Sequence, residues 1–156
     1  MMACGKVLHR NVAMTYLQVL VVDDSPITVA KLSRMLQTLG HRVLRTASNG
    51  AEAVTAYETY KPDVVTMDIT MPDMNGIEAT RRIRARFPDA HIIMVTSHGQ
   101  EKMVLEALKA GAKGYLLKPF NEEKLQQLLE TAIKRTINTE KLQEIIHKVE
   151  THTPAK

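Results

Sequence analysis

"VVTMDITMPDMNG", residues 64–76, holds the pattern that decides the fold. Val64, Val65, Thr66 and Met67 form a run with no polar–apolar alternation, as expected of a strand covered on both faces. The run stops on Asp68, and Met71-Pro72 then turns the chain. A carboxylate at the edge of a buried strand is costly unless something pairs with it. The stretch therefore predicts a buried strand and asks what Asp68 is for.

The same grammar recurs along the chain. "LQVLVVDD" (17–24) is a strand run, and "SPITVAKLSRMLQTLG" (25–40) reads as a helix with Ser25 as cap, Pro26 in the first turn and Gly40 as the stop. Leu32, Met35, Leu36 and Leu39 form its apolar stripe. A short strand (42–47) follows, then a helix opened by Asn49 and Glu52, with Ala53, Val54 and Tyr57 facing inward, and a breaker at Lys61-Pro62-Asp63. Residues 76–87 read as a helix ended by Pro88, and "HIIMVTS" (91–97) as the fourth strand. Residues 100–110 read as a helix with Val104, Ala107 and Leu108 on one side, closed by Gly111. "GYLL" (114–117) is a fifth strand, broken at Lys118-Pro119, and Asn121 caps a last long helix. Five repeats of strand then helix predict an α/β fold: an open, doubly wound parallel sheet with helices on both faces.

Composition agrees with one soluble domain. The chain has 156 residues, 44% apolar and 24% charged, at a net charge of +4. No apolar run is long enough to span a bilayer, and the N-terminal stretch lacks the continuous apolar core of a signal peptide, so a cytoplasmic location is expected. The one cysteine, Cys4, excludes an internal disulfide framework and a cysteine-rich zinc site. Arg81, Arg82, Arg84 and Arg86 are the one basic cluster; without stacking aromatics nearby it reads as a solvated helix face rather than a nucleic-acid surface.

Polar chemistry collects where the strands end. The first ends in Asp23-Asp24, the third in Asp68, the fourth in Thr96-Ser97 and the fifth in Lys118-Pro119. In open sheets of this kind ligands bind at the carboxyl ends of strands. Two carboxylates roughly 5 Å apart repel by about 3 kcal/mol at an effective dielectric near 20. A hard cation with oxygen ligands relieves that repulsion, and Mg²⁺ fits, with Lys118 adding a further positive charge.

"VLVVDDSP", "VVTMDITMPDMNG", "IIMVTS" and "GYLLKPF" together resemble the receiver domain of two-component response regulators, closest to its single-domain, chemotaxis-type members. The resemblance covers about residues 17–136, with all five chemical positions in order. It implies a flavodoxin-like sheet of strand order 2-1-3-4-5 and a phosphoacceptor switch rather than an enzyme. Asp68 matches the phosphoacceptor, Asp23 and Asp24 the acidic pair that holds Mg²⁺ (or Mn²⁺), and Thr70 the residue whose backbone carbonyl completes the metal shell. Lys118 and Thr96 match the cation and hydroxyl that meet the phosphoryl group, Tyr115 the aromatic switch residue, and Pro119 follows an expected cis peptide. Thr70 and His98 match the positions that tune phosphoryl lifetime. The implied partners are a sensor histidine kinase or phosphotransfer protein, and a downstream protein met by the fourth helix, fifth strand and fifth helix, where Val104, Leu105, Lys109 and Tyr115 lie.

Two competing classes remain. A Mg²⁺-dependent phosphatase with an aspartyl-phosphate intermediate shares the strand-end nucleophile, but wants a second Asp where this chain has Thr70. A transcription regulator would need a DNA-binding domain, and the residues after Thr136 are too few for one.

Residues 1–16 read as an N-terminal tail or an upstream-start extension, with Met14 a natural alternative start. Residues 137–156 read as an amphipathic helical extension that starts at Thr139-Glu140, carries a Leu142, Ile145, Ile146, Val149 stripe and frays in "THTPAK". That stripe folds back on the domain, pairs with a second copy through residues 138–150, or docks on a target.

Overall fold

The computed structural model describes residues 16–97 and 99–152. The expected tail lies outside the described residues except for Tyr16, as do His98 and the fraying end from 153 onward. Strand and helix alternate throughout: β1 (Gln18–Val22), α1 (Pro26–Thr38), β2 (Arg42–Ala47), α2 (Gly50–Tyr60), β3 (Val64–Met67), α3 (Gly76–Arg86), β4 (Ile92–Thr96), α4 (Glu101–Ala110), β5 (Gly114–Leu117) and α5 (Glu122–His152). All neighbouring strands pair in parallel, in the order β2-β1-β3-β4-β5. The order reverses between β1 and β3, which sets the ends of those two strands side by side.

Helices cover both faces. Leu20, Val22, Val65, Met67, Ile92 and Met94 join one core, which includes Ala53 and Tyr57 of α2, Ile77 and Ile83 of α3 and Ala107 of α4. Val19, Val21, Val64, Ile93, Val95 and Leu116 join the other, with Leu32 and Leu36 of α1 and Leu125 and Leu129 of α5. Alternate residues of each central strand thus serve opposite cores, which is why these strands are apolar throughout. Each fully buried leucine contributes about 1.5–3 kcal/mol. The edge strand β2 is largely exposed, in keeping with its "RVLRTA" composition.

The helix ends follow the sequence signals. Asn49 accepts from the Glu52 amide and Asn75 from the Glu78 amide, each at 2.9 Å, and Ser25 accepts from the Thr28 amide at 3.4 Å. Gly40 and Gly111 take the positive φ angles, 90° and 112°, that end α1 and α4. The arginine cluster of α3 is occupied locally: Arg81 and Arg82 pair with Glu78, Arg86 pairs with Glu58, and Arg84 donates to the carbonyls of Pro88 and Ala90.

Two expectations change. Leu108 is 46% exposed; the inward side of α4 is made instead by Ala107 and Ala110, with Met103 packed against the same core. Small residues let α4 lie close to the sheet, and the leucines turn outward. Nor does a new helix begin at Thr139-Glu140: α5 runs unbroken from Glu122 to His152, a stretch with no glycine or proline to stop it. The Leu142, Ile145, Ile146, Val149 stripe therefore does not fold back on the domain and is exposed.

Candidate functional site

Asp68 is the first residue past β3. Its amide donates to the Val22 carbonyl at 2.9 Å, so the end of β3 is pinned beside the end of β1. Asp23 follows β1, and its amide donates to Ala47 at the end of β2. Carboxylate oxygens of Asp23, Asp24 and Asp68 lie within 4.8 Å of one another. Asp23 and Asp68 are buried and Asp24 is exposed, so the cluster opens to solvent on one side.

Lys118 enters from the far end of the sheet. Its Nζ donates to Asp23 Oδ2 at 2.8 Å and lies 3.8 Å from Asp68 Oδ1. The Lys118 amide donates to the Thr96 carbonyl at 2.8 Å, tying the ends of β4 and β5 together, and the Lys118–Pro119 peptide is cis, as expected. Thr96 is wholly buried at the end of β4, while Ser97 beside it is exposed. Tyr115 lies half-buried on β5, opposite Met94 in the register, against the core that includes α4. Thr70 is exposed between two buried anchors, Ile69 and Met71.

One cation does not neutralise three carboxylates. Burial, then the Asp23 charge, push Asp68 up from 3.8 to about 6, against the pull of Lys118 and of the Ile69 amide that donates to Asp68 Oδ1. The donor set is all oxygen, convergent and open on one side, which suits a hard divalent cation better than a softer metal. Mg²⁺ fits this site.

Residues 19–130 match the response regulator receiver domain. The chain belongs to this family. Among its relatives, the chemotaxis protein CheY of Thermotoga maritima is 46% identical over 112 residues, 72% of this chain and 93% of that protein. The chemotaxis protein CheY of Bacillus subtilis is 40% identical over 121 residues, 78% of this chain and 98% of that protein. A crystal structure of the CheX–CheY–BeF3–Mg²⁺ complex from Borrelia burgdorferi superposes with a TM-score of 0.71 at 37% identity, covering 73% of this chain and 87% of that one. Receiver domains of the CheY type are signalling switches of two-component systems; they bind Mg²⁺ at an acidic pocket and interact with kinases and downstream targets. No helix among the described residues of this receiver is long and apolar enough to cross a membrane.

The described candidate residues sit at the carboxyl ends of the strands, except Tyr115, which lies two residues short of the end of β5. What the sequence reading missed is the glycine that lets the loop close. A Cβ at Gly76 would lie 1.9 Å from the Asp68 carbonyl oxygen, and the Gly76 amide donates to Ile69 at 2.8 Å. Gly50 is similar: its amide donates to Met74, and a Cβ there would lie 2.4 Å from that carbonyl oxygen. The Asn-Gly pairs at 49–50 and 75–76 were the available signal, a capping residue followed by the one side chain that permits close backbone approach.

Proposed function

We propose that this receiver is a switch that takes a phosphoryl group onto Asp68 from the phosphohistidine of a sensor kinase or phosphotransfer protein. An Asp68 carboxylate oxygen forms the new bond to phosphorus, and the donor's nitrogen–phosphorus bond breaks, leaving the imidazole to be protonated by solvent. The observation that carries this reading is the convergence of Asp23, Asp24 and Lys118 on the carboxylate of Asp68 at the open edge of the sheet. Asp23, Asp24, Asp68 and the Thr70 carbonyl are the residues that would hold Mg²⁺, with Mn²⁺ an acceptable substitute; bound there, the ion offsets charge on the phosphoryl oxygens.

Lys118 is already placed between Asp23 and Asp68, and its role is to meet a phosphoryl oxygen as charge arrives. Thr96 supplies a hydroxyl to the phosphorylated site, and Tyr115 turns inward as Thr96 moves, which alters the surface made by α4, β5 and the first half of α5. That surface meets the downstream protein. Residues 17–136 form the receiver unit and 137–156 an extension. Thr70 and His98 set the lifetime: replacing either changes the decay of the labelled phosphoprotein without abolishing its formation.

The test is mass spectrometry of the intact chain after incubation with acetyl phosphate and Mg²⁺. One phosphoryl group is expected on the wild type and none on Asp68→Asn. Steady turnover of a phosphate ester that is lost in Asp68→Asn would instead support the phosphatase reading.

A further inference from the structure

Two apolar sets on this receiver face water. One is Leu105 and Leu108 of α4 with Leu117 of β5, 46–49% exposed. The other is Leu142, Ile145 and Ile146 of α5, 41–55% exposed. Beyond these and Val149, only Ile27 and Tyr60 are large exposed apolar side chains among the described residues. We propose that the two sets cover each other in a second copy of this chain: a two-fold dimer in which the far half of α5 of each copy lies on the α4–β5 face of the other.

Helix phase supports this seat. Leu128 lies on the β5 side of α5, where a Cβ at Gly114 would meet its Cδ2 at 3.0 Å. Ile146 follows eighteen residues later on the same helix, about five whole turns, so it points the same way as Leu128. Leu142 is within about 40° of that direction and Ile145 within about 100°. Leu142 and Ile146 are thus turned to the β5 side of α5, with Ile145 on the flank of that side. A two-fold axis perpendicular both to α5 and to that direction reverses the direction in the partner, so that each stripe can be set against the other copy's face.

The covalent structure excludes the simplest alternative. The stripe is carried beyond its own domain by an unbroken helix, so it reaches its own α4–β5 face only if α5 breaks. Size argues against pairing stripe to stripe. That contact offers the four apolar side chains of the stripe per copy, Val149 included, whereas the reciprocal seat engages those four and the three of the α4–β5 face, closer to the roughly 800 Å² per partner of a stable interface. The segment from Asn138 to His152 is about 22 Å long, enough to cross a face built on a ten-residue helix and a four-residue strand. Glu101, Lys102, Glu106 and Lys109 on α4 and Lys141, Glu144 and Lys148 on the extension supply a rim of mixed sign. The family match ends at residue 130, so the stripe half of this contact lies outside it and the α4–β5 half inside it. Resting on the output surface proposed above, the dimer hides the face that meets the target, and association and target binding exclude one another.

Sedimentation equilibrium of the full chain, from micromolar to near-millimolar and with no phosphodonor present, tests this apart from phosphoryl acceptance. The wild type is expected to move from monomer to dimer. Ile145→Glu on the extension and Leu108→Glu on the face should each weaken the dimer by about tenfold or more. Mixed together, the two variants should form a heterodimer tighter than either homodimer, because one of the two seats is then intact on both sides. A wild type that stays monomeric overturns the proposal. A Leu108→Glu variant that dimerises like the wild type overturns it in favour of stripe-to-stripe pairing, and a mixture no tighter than its components overturns the reciprocal arrangement. Circular dichroism checks the fold, and Leu142→Glu and Leu105→Glu replace either variant that fails it.

Discussion

Replacing Asp68 with asparagine should stabilise the metal-free protein while abolishing phosphoryl acceptance. Asparagine keeps the size of the side chain and an oxygen able to accept from the Ile69 amide, now 2.9 Å from Asp68 Oδ1, but removes the charge. The carboxyl of Asp68 is raised from 3.8 to about 6 by burial and by Asp23, with Lys118 opposing. A folded-state value above the unfolded one means that folding favours the protonated form. Stability is therefore lost as pH rises through 3.8 towards 6, and the loss is complete above 6. Two units at about 1.4 kcal/mol each make the ionised carboxylate cost about 3 kcal/mol at pH 8.

Urea unfolding at pH 8 in EDTA should place Asp68→Asn above the wild type by up to that amount. At pH 5 the gap should shrink to about half, since the wild type is then mostly protonated when folded. Adding Mg²⁺ at pH 8 should raise the wild type more than the variant, because bound cation relieves the repulsion that the substitution has already removed. An asparagine variant no more stable than the wild type in EDTA at pH 8 would refute the argument that uncompensated charge is stored at this site.

Three further outcomes follow from individual contacts. Lys118→Met should destabilise the metal-free fold by about 2 kcal/mol, measured by urea unfolding, because it strips from buried Asp23 the ammonium that pairs with it, and phosphorylation by acetyl phosphate should slow sharply. Gly76→Ala should cost about 1–3 kcal/mol and impair phosphorylation together, since its Cβ cannot coexist with the Asp68 carbonyl at 1.9 Å unless the loop moves. His91 is buried, its Nδ1 has no hydrogen-bond partner, and burial, then Arg135, Lys113 and Arg84, lower it from 6.5 to about 4. It contributes fully above 6.5 and loses about 3 kcal/mol as pH falls towards 4, so the acid limb of a urea-midpoint profile should flatten in His91→Leu relative to wild type.

Much of the fold is legible because its strands are buried on both faces. Val19 to Val22, Val64 to Met67 and Ile92 to Val95 carry no alternation to mislead, and Ser25, Asn49 and Asn121 mark helix starts with side chains that accept amide hydrogen bonds in the structure. Legibility fails where a pattern has two physical solutions. Val104, Ala107 and Leu108 satisfy helical periodicity, yet α4 packs through Ala107 and Ala110 and turns Leu108 to solvent. Periodicity fixes which residues share a side of a helix and leaves open which side is buried, a choice made by how closely the helix must approach the sheet. The Thr139 start failed for a related reason. A capping residue ends a preceding helix only when something also breaks it, and nothing between Glu122 and His152 does.

The site was legible to a different depth for each residue, and the difference is physical. Asp23, Asp68, Thr96 and Lys118 stand directly at strand ends, so a parallel sheet brings them to one edge whatever their side chains do. Gly50 and Gly76 act through backbone approach to other segments; the Asn-Gly pairs mark the two positions, but nothing local reports which carbonyl will lie 2 Å or so from the missing Cβ. The cost of the cluster was likewise visible only as a sign. Three carboxylates near one another must repel, but how far Asp68 is raised depends on its burial and on where the Lys118 ammonium comes to rest, nearer to Asp23 than to Asp68. That asymmetry matters for the proposed switch. Lys118 leaves the Asp68 carboxylate the less satisfied of the two, so the group that must react is also the one whose charge the fold has least neutralised.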